Sequence, residues 1–385
     1  MTSASELAAS PLDRISAIMD SPVRPLDGGL ILTLREVPSL EALERGAASA
    51  REVYPVSRCV LDDRTWRRVD DPPAIATGDD VQAFLDAGAP VRETPSPRQL
   101  LADQHLVTVG HHAAGDLVSI LAWVRHQLDV AFGRDPAPPS SLELTGCDQA
   151  VRKSKYAWSG ASTKLWSRGG PSNVRRRKKL HVTPFSPRGD VTYNDVLLTA
   201  TLDTFAAFNA DRGASTEQIA VWCPVNVRAR PFDGFGNGSS RVRIYRRYDD
   251  DTPIADRVAH VREQVRWTKK NGEWFVPVDH PLLSGPAWLL RMYLSRPWVD
   301  MATGAFSHGE RVGPGDDDTL WPEVEDLEIV GQLDRRHPFG IFGATFRGLT
   351  RLTLLYDPGQ LEGEDVDALA DIFTERLEAA RAALT

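Results

Sequence analysis

Cysteine is scarce in this 385-residue chain: Cys59, Cys147 and Cys223 are an odd number, widely spread. No Cys-x-x-Cys pair occurs, so neither a zinc cage nor a disulfide framework is indicated, and a reducing compartment fits better. Positive charge is not in excess either. A formal net charge of -8 argues against general affinity for nucleic acid or anionic membrane, although a local basic patch can still act. No apolar run approaches the roughly 20 residues that span a bilayer. The opening Met1-Thr-Ser-Ala-Ser-Glu-Leu has no basic n-region, so no secretory signal is expected. A Gly-x-Ser-x-Gly elbow is missing, and no cysteine stands out as a nucleophile. These absences leave a globular, cytoplasmic protein, expected to be a monomer with no integral membrane association, no nucleic-acid partner, no metal and no permanently bound cofactor.

What is present is ordinary in amount: 42% hydrophobic and 25% charged residues. The length suits two lobes, each with its own core. Strand formers at Gly29-Leu-Ile-Leu-Thr-Leu34 precede a helical pattern from Leu40 to Arg51, with Ser39 as its N-cap. Residues 56–61 and 66–69 read as a hairpin, 78–85 as a short helix and 105–112 as a buried strand. A helix follows over 117–130, where Leu117, Ile120, Leu121, Val124 and Leu128 share one face. The Pro- and Ser-rich stretch from Gly133 and the polar, basic residues 152–179 read as a mobile crossover between lobes. An amphipathic helix at 191–205, opened by a Thr192–Asp195 capping box, restarts the pattern. Strands at 218–228, 241–245, 302–307, 327–333 and 350–356 and helices at 254–270 and 364–384 complete it.

The most informative segment is His111-His-Ala-Ala-Gly-Asp116, set between the strand and the helix of the first lobe. A histidine there can project into a cleft while the flanking elements hold it still, and imidazole exchanges protons near neutral pH. Three readings compete. Metal ligation needs further partners, and adjacent strand residues point to opposite faces, leaving only His112 and Asp116 on one side. A structural pair would be half-buried and hydrogen-bonded. A catalytic base needs a cleft and an anchored loop, for which Asp116 is the candidate, given a cationic partner if buried.

His-His-x-x-x-Asp between a strand and a helix resembles the signature of the CoA- and carrier-protein-dependent acyltransferases. That superfamily includes condensation domains, chloramphenicol acetyltransferase, polyketide-associated acyltransferases and wax ester synthase/diacylglycerol acyltransferases. Collinear stretches resemble it too: the segment from Ser10, Tyr54-Pro-Val-Ser-Arg58, Val191-Thr-Tyr-Asn-Asp195, Cys223-Pro-Val-Asn-Val-Arg228 with Phe235-Gly-Asn-Gly-Ser239, and Leu352-Thr-Leu-Leu-Tyr-Asp-Pro358. The chain departs from the family's usual Gly after the aspartate, having Leu117 instead.

The resemblance implies an α/β fold of two pseudo-symmetric, chloramphenicol-acetyltransferase-like lobes, with mixed sheets flanked by helices and an active-site tunnel between them. The lobes would span 1–165 and 191–385, with a basic crossover linker at 166–190. It implies transfer of an acyl group from an acyl-CoA or phosphopantetheinyl carrier-protein thioester, the co-substrate, to a small alcohol or amine. Such chemistry belongs to specialised-metabolite or lipid biosynthesis; a degenerate carrier-protein docking module is the alternative. His112 would be the general base, His111 would pack behind it, and Asp116 would pair with Arg58. Asn237 and Ser239 are candidates for the oxyanion, Arg228 and His308 for the tunnel wall. Arg175, Arg176, Arg177, Lys178 and Lys179 are candidates to grip donor phosphates or a carrier protein. Each of these last nine has a plainer structural reading as a turn, a core residue or a solvated loop.

Overall fold

The computed structural model describes residues 6–20, 26–139, 162–172, 174–226, 235–271, 285–294, 302–311, 321–333 and 337–385. The first half of the chain forms β1 (Glu6–Ala8), α1 (Pro11–Met19), β2 (Asp27–Leu34), α2 (Leu40–Val53), β3 (Cys59–Asp62), β4 (Thr65–Arg68), β5 (Ala76–Thr77), α3 (Val81–Ala87), β6 (Arg98–Ala102), β7 (His105–His111) and α4 (Leu117–Ala131). The second half adds β8 (Arg176–Val182), α5 (Tyr193–Asp211), β9 (Ala220–Asn226), β10 (Ser239–Tyr245), α6 (Ile254–Asn271), α7 (Ala287–Leu294), β11 (Gly304–Arg311), β12 (Val324–Val330), β13 (Phe339–Phe346), β14 (Leu349–Tyr356) and α8 (Gly363–Leu384). Two mixed sheets dominate. The first runs β12-β2-β7-β6-β5, the second β10-β9-β11-β13-β14-β8, and a small β1-β4-β3 sheet accompanies the first.

The elements follow from local chemistry. Ser39 caps α2 by accepting the Ala42 amide. Gly46 lets α2 press onto α4, because a Cβ there would stand 2.3 Å from the Gln127 carbonyl oxygen. The Thr192–Asp195 capping box opens α5 with both reciprocal bonds formed. That helix is not the one-sided element its sequence suggests, for residues 195–206 are all buried. Thr199, Thr201 and Thr204 stay inside because each hydroxyl donates to the carbonyl four residues earlier, at 2.8, 2.8 and 2.7 Å.

The boundaries of the two lobes differ from expectation in two places. β8, expected as part of a mobile linker, is the edge strand of the second sheet, paired with β14 from Arg176↔Tyr356 to Val182↔Thr350. The residues before it are tied to the second lobe as well: Trp166 N–H donates to Asn209, Arg168 pairs with Asp365, and Ser172 holds Asp357. β12, far along the chain, crosses back and pairs antiparallel with β2 in the first sheet. The first lobe's core accordingly takes in Phe342, Ala344, Phe346 and Leu355 from β13 and β14, so apolar packing is continuous across the seam.

Candidate active site

β7 carries the motif to the seam. Its ladder with β2 ends on the pair Asp27↔His111, and the next amide, His112 N–H, donates to the Leu26 carbonyl at 2.7 Å. The strand then stops. His112 to Ala114 form a turn closed by Ala114 and Gly115 amides on the His111 carbonyl. The two imidazoles therefore part company because one ends a strand and the next begins a turn, not by alternation along a continuing strand.

His111 is enclosed, 1% exposed. Its Nδ1 accepts the Ala113 amide at 3.0 Å, which leaves the ring proton on Nε2, 3.5 Å from Asp20 at the end of α1. Burial pushes the Asp20 carboxyl up, but His111, the Leu26 amide and Arg92 outweigh it and leave the group below its usual range. His112 keeps partial exposure, while its Nδ1 is enclosed with no hydrogen-bond partner among the described residues. Burial pushes its pKa below the ordinary 6.5, Asp116 pulls the other way, and Arg241 on β10 and His111 add to the lowering. The result is a neutral imidazole at neutral pH, the form that takes up a proton.

Asp116 is the N-cap of α4: its Oδ1 accepts the Ser119 amide at 3.2 Å, and its Oδ2 accepts the Gly238 amide at 3.2 Å. Ser119 makes a second bridge, donating to the Gly236 carbonyl at 2.7 Å and accepting the Gly236 amide at 3.0 Å. The motif turn is thus stitched to the glycine-rich turn of the second lobe. Leu117 is the first residue of α4, in a helical position that asks for no glycine.

The expected Asp116–Arg58 pair does not form. Arg58 lies in the short 3-10 turn Pro55–Arg58, where its guanidinium pairs with Glu52 and reaches the Asp70 carbonyl at 3.4 Å. Asp116 is held instead by groups on its own helix and the facing turn, a helix-start role that an aspartate before an apolar run already signals.

The other candidates scatter. Asn237 is 2% exposed and donates its amide to Ser16 of α1 at 3.2 Å, while its oxygen accepts the Ser239 amide. It connects α1, the glycine turn and β10. Ser239 begins β10 opposite Asn226. His308 is half-buried on the second lobe's side of β11. Ala305 of β11 packs on the first core, whereas Phe306 joins the second. His308 shares the Phe306 side, edge-on to Tyr193 of α5 at 6.2 Å, and burial pushes its pKa down to about 4. Arg228 lies outside the described residues.

Each residue of the basic run meets a carboxylate. Arg175 meets Asp27 at 3.3 Å, Arg176 meets Asp86 at 3.6 Å, and Lys178 meets Asp367. Arg177 and Lys179 share Glu328 at 2.9 and 3.1 Å. Sequence reasoning missed Asp20, Ser119, Asp27 and Glu328. Only Ser119 left a signal, standing three residues beyond a capping aspartate. Among the described residues, no three His, Cys, Asp or Glu side chains gather as a metal site, and no helix is long and apolar enough to cross a membrane.

No family model matches the sequence, and no curated protein matches it. Solved structures do. The first condensation domain of the calcium-dependent antibiotic synthetase, in complex with a substrate analogue, matches at TM-score 0.68 and 14% identity, over 100% of this chain and 98% of that one. The fold is that of the condensation domains. A starter condensation domain of rhizomide synthetase, solved as a variant with C8-CoA and Leu-SNAC, matches at 0.66 and 14%, over 99% and 96%. The condensation fold extends to an acetyltransferase, the TRI3 trichothecene 15-O-acetyltransferase of Fusarium sporotrichioides, at 0.67 and 11%, over 99% and 96%. Both nearly full coverages mean that the two lobes, and not one alone, are shared.

Proposed function

We propose that this chain is an acyltransferase of the condensation type, moving an acyl group from a CoA or carrier-protein thioester to an alcohol or amine in specialised-metabolite or lipid biosynthesis. The observation that carries the reading is His112: a neutral, partly exposed imidazole in a turn that both lobes hold. With Nδ1 enclosed, Nε2 is the ring atom that meets substrate. It accepts the proton of the acceptor O–H or N–H as the acceptor's lone pair attacks the thioester carbonyl. The tetrahedral adduct collapses, the C–S bond breaks, and the imidazolium returns the proton to the thiolate. Ester or amide and free thiol are the products, with no acyl-enzyme.

Asp116 and His111 act as positioning residues in this reading. The first locks the turn to the second lobe, and the second, oriented by Asp20, holds the Ala113 amide. The test is a panel of acyl-CoA and acyl-carrier thioesters with alcohol and amine acceptors, followed by thiol release and product mass. Transfer by the wild type that His112→Ala loses supports the reading. Thioester binding without transfer from any donor would leave the docking-module alternative in its place.

A further inference from the structure

The salt links of the basic run lead to the motif. β8 belongs to the second sheet, yet Arg175 just before it reaches Asp27 at the start of β2, and Arg177 and Lys179 reach Glu328 on β12; both acidic residues belong to the first sheet. Gln82 of α3 adds neutral links, donating to the Arg175 carbonyl at 3.0 Å and accepting Arg177 at 2.8 Å. Asp27 is 4% exposed, and the backbone at Gly88 stands close against its carboxylate. Arg175 is the cation that offsets this enclosed charge, itself steadied by the Leu85 carbonyl at 3.3 Å. Asp27 lies opposite His111 in the ladder and follows Leu26, whose carbonyl receives both the His112 amide at 2.7 Å and the Gln332 side-chain amide at 3.0 Å. The Leu26 amide, in turn, donates to Asp20, the carboxylate that faces His111.

We infer that the Asp27–Arg175 pair is a positioning device for His112, by which docking of β8 against the first lobe holds the end of β2 and, through the Leu26 carbonyl, the catalytic turn. The pair never touches substrate. Removing Arg175 leaves a buried carboxylate uncompensated at the residue beside that carbonyl, and the end of β2 relaxes toward solvent. Displacement of a catalytic group by about 1 Å costs up to about 10²-fold in turnover, without weakening binding made elsewhere.

The kinetic arm of the test rests on the proposed acyl transfer; the exchange arm does not. In the full chain, Arg175→Gln is expected to lower amide-exchange protection at His112 by about tenfold or more, while amides of the β13–β14 ladder keep theirs. The turnover number should fall by about 10- to 100-fold with KM little changed. Arg175→Lys should recover most of both. Asp27→Asn, which removes the buried charge, should be milder than Arg175→Gln, and adding it to Arg175→Gln should restore protection. Should Arg175→Gln not fold, Asp27→Asn gives the same reading in milder form. Unchanged His112 exchange in Arg175→Gln, or in Asp27→Asn where Arg175→Gln does not fold, overturns the inference, as does a loss spread evenly over both sheets. A protein without transferase activity in which His112 exchange still follows Arg175 would refute the proposed function and leave the inference standing.

Discussion

Asp116→Ala is the substitution whose cost the structure defines most closely. Asp116 is 7% exposed, and its two oxygens serve different lobes. Losing the N-cap of α4 costs about 0.5–2 kcal/mol, and leaving the buried Gly238 amide without an acceptor costs about 1–3 kcal/mol. Together they predict a loss of about 1.5–5 kcal/mol in equilibrium denaturation. The partner is the more telling question. Arg58 is engaged with Glu52, an exposed carboxylate, so a double-mutant cycle of Asp116→Ala with Arg58→Ala should give a coupling energy within about 0.5 kcal/mol of zero. A coupling of about 1.5 kcal/mol or more would mean that the two residues interact after all and would refute this account of the anchor. So would an Asp116→Ala variant as stable as the wild type.

Three further outcomes follow from the same geometry. Because burial holds the His112 pKa below 6.5, the acid limb of kcat/KM for acyl transfer should have its midpoint below 6.5; a midpoint at or above that value counts against the neutral-base assignment. His308 binds its proton near pH 4 folded and near 6.5 unfolded, so stability is complete above 6.5 and is lost as pH falls from there to 4, by up to about 3 kcal/mol. His308→Leu should flatten that stretch of the stability–pH curve, and an unchanged slope would contradict the burial described for it. Glu328→Gln, which removes the carboxylate shared by Arg177 and Lys179, should cost about 1–3 kcal/mol and make stability less sensitive to salt, measured by denaturation at low and high ionic strength.

Much of the first lobe was legible from periodicity. The strand before the motif and the helix after it lie at 105–111 and 117–131, within a residue of expectation. The second lobe was read less completely. β13, with Gly340 and Gly343 in Phe339-Gly-Ile-Phe-Gly-Ala-Thr-Phe346, lacks the β-branched pattern of a strand, and it was not anticipated. Its glycine at 343 answers to a neighbour, since a Cβ there would stand 2.0 Å from the Arg351 carbonyl oxygen. β8 was hidden by its charge: a run of Arg and Lys reads as a solvated loop until the carboxylates of Asp27, Asp86 and Glu328, far away in sequence, are placed beside it. The Arg58 partner was taken from the family likeness, which does not specify local contacts, whereas the capping chemistry of Asp116 was written beside it in the chain. Asp20 and Asp27 left no local mark, because their importance comes from a turn about ninety residues downstream that only the fold brings to them.

The most direct test of the account compares His112→Ala with His111→Ala, measuring acyl-transfer turnover, donor binding and unfolding for each. Loss of a positioned base predicts that His112→Ala falls by about 10²–10⁴ in turnover with donor affinity and stability near those of the wild type. His111→Ala should be lowered mainly in stability, having lost the acceptor of the Ala113 amide and the contact with Asp20. Full transfer activity in His112→Ala would contradict the central claim.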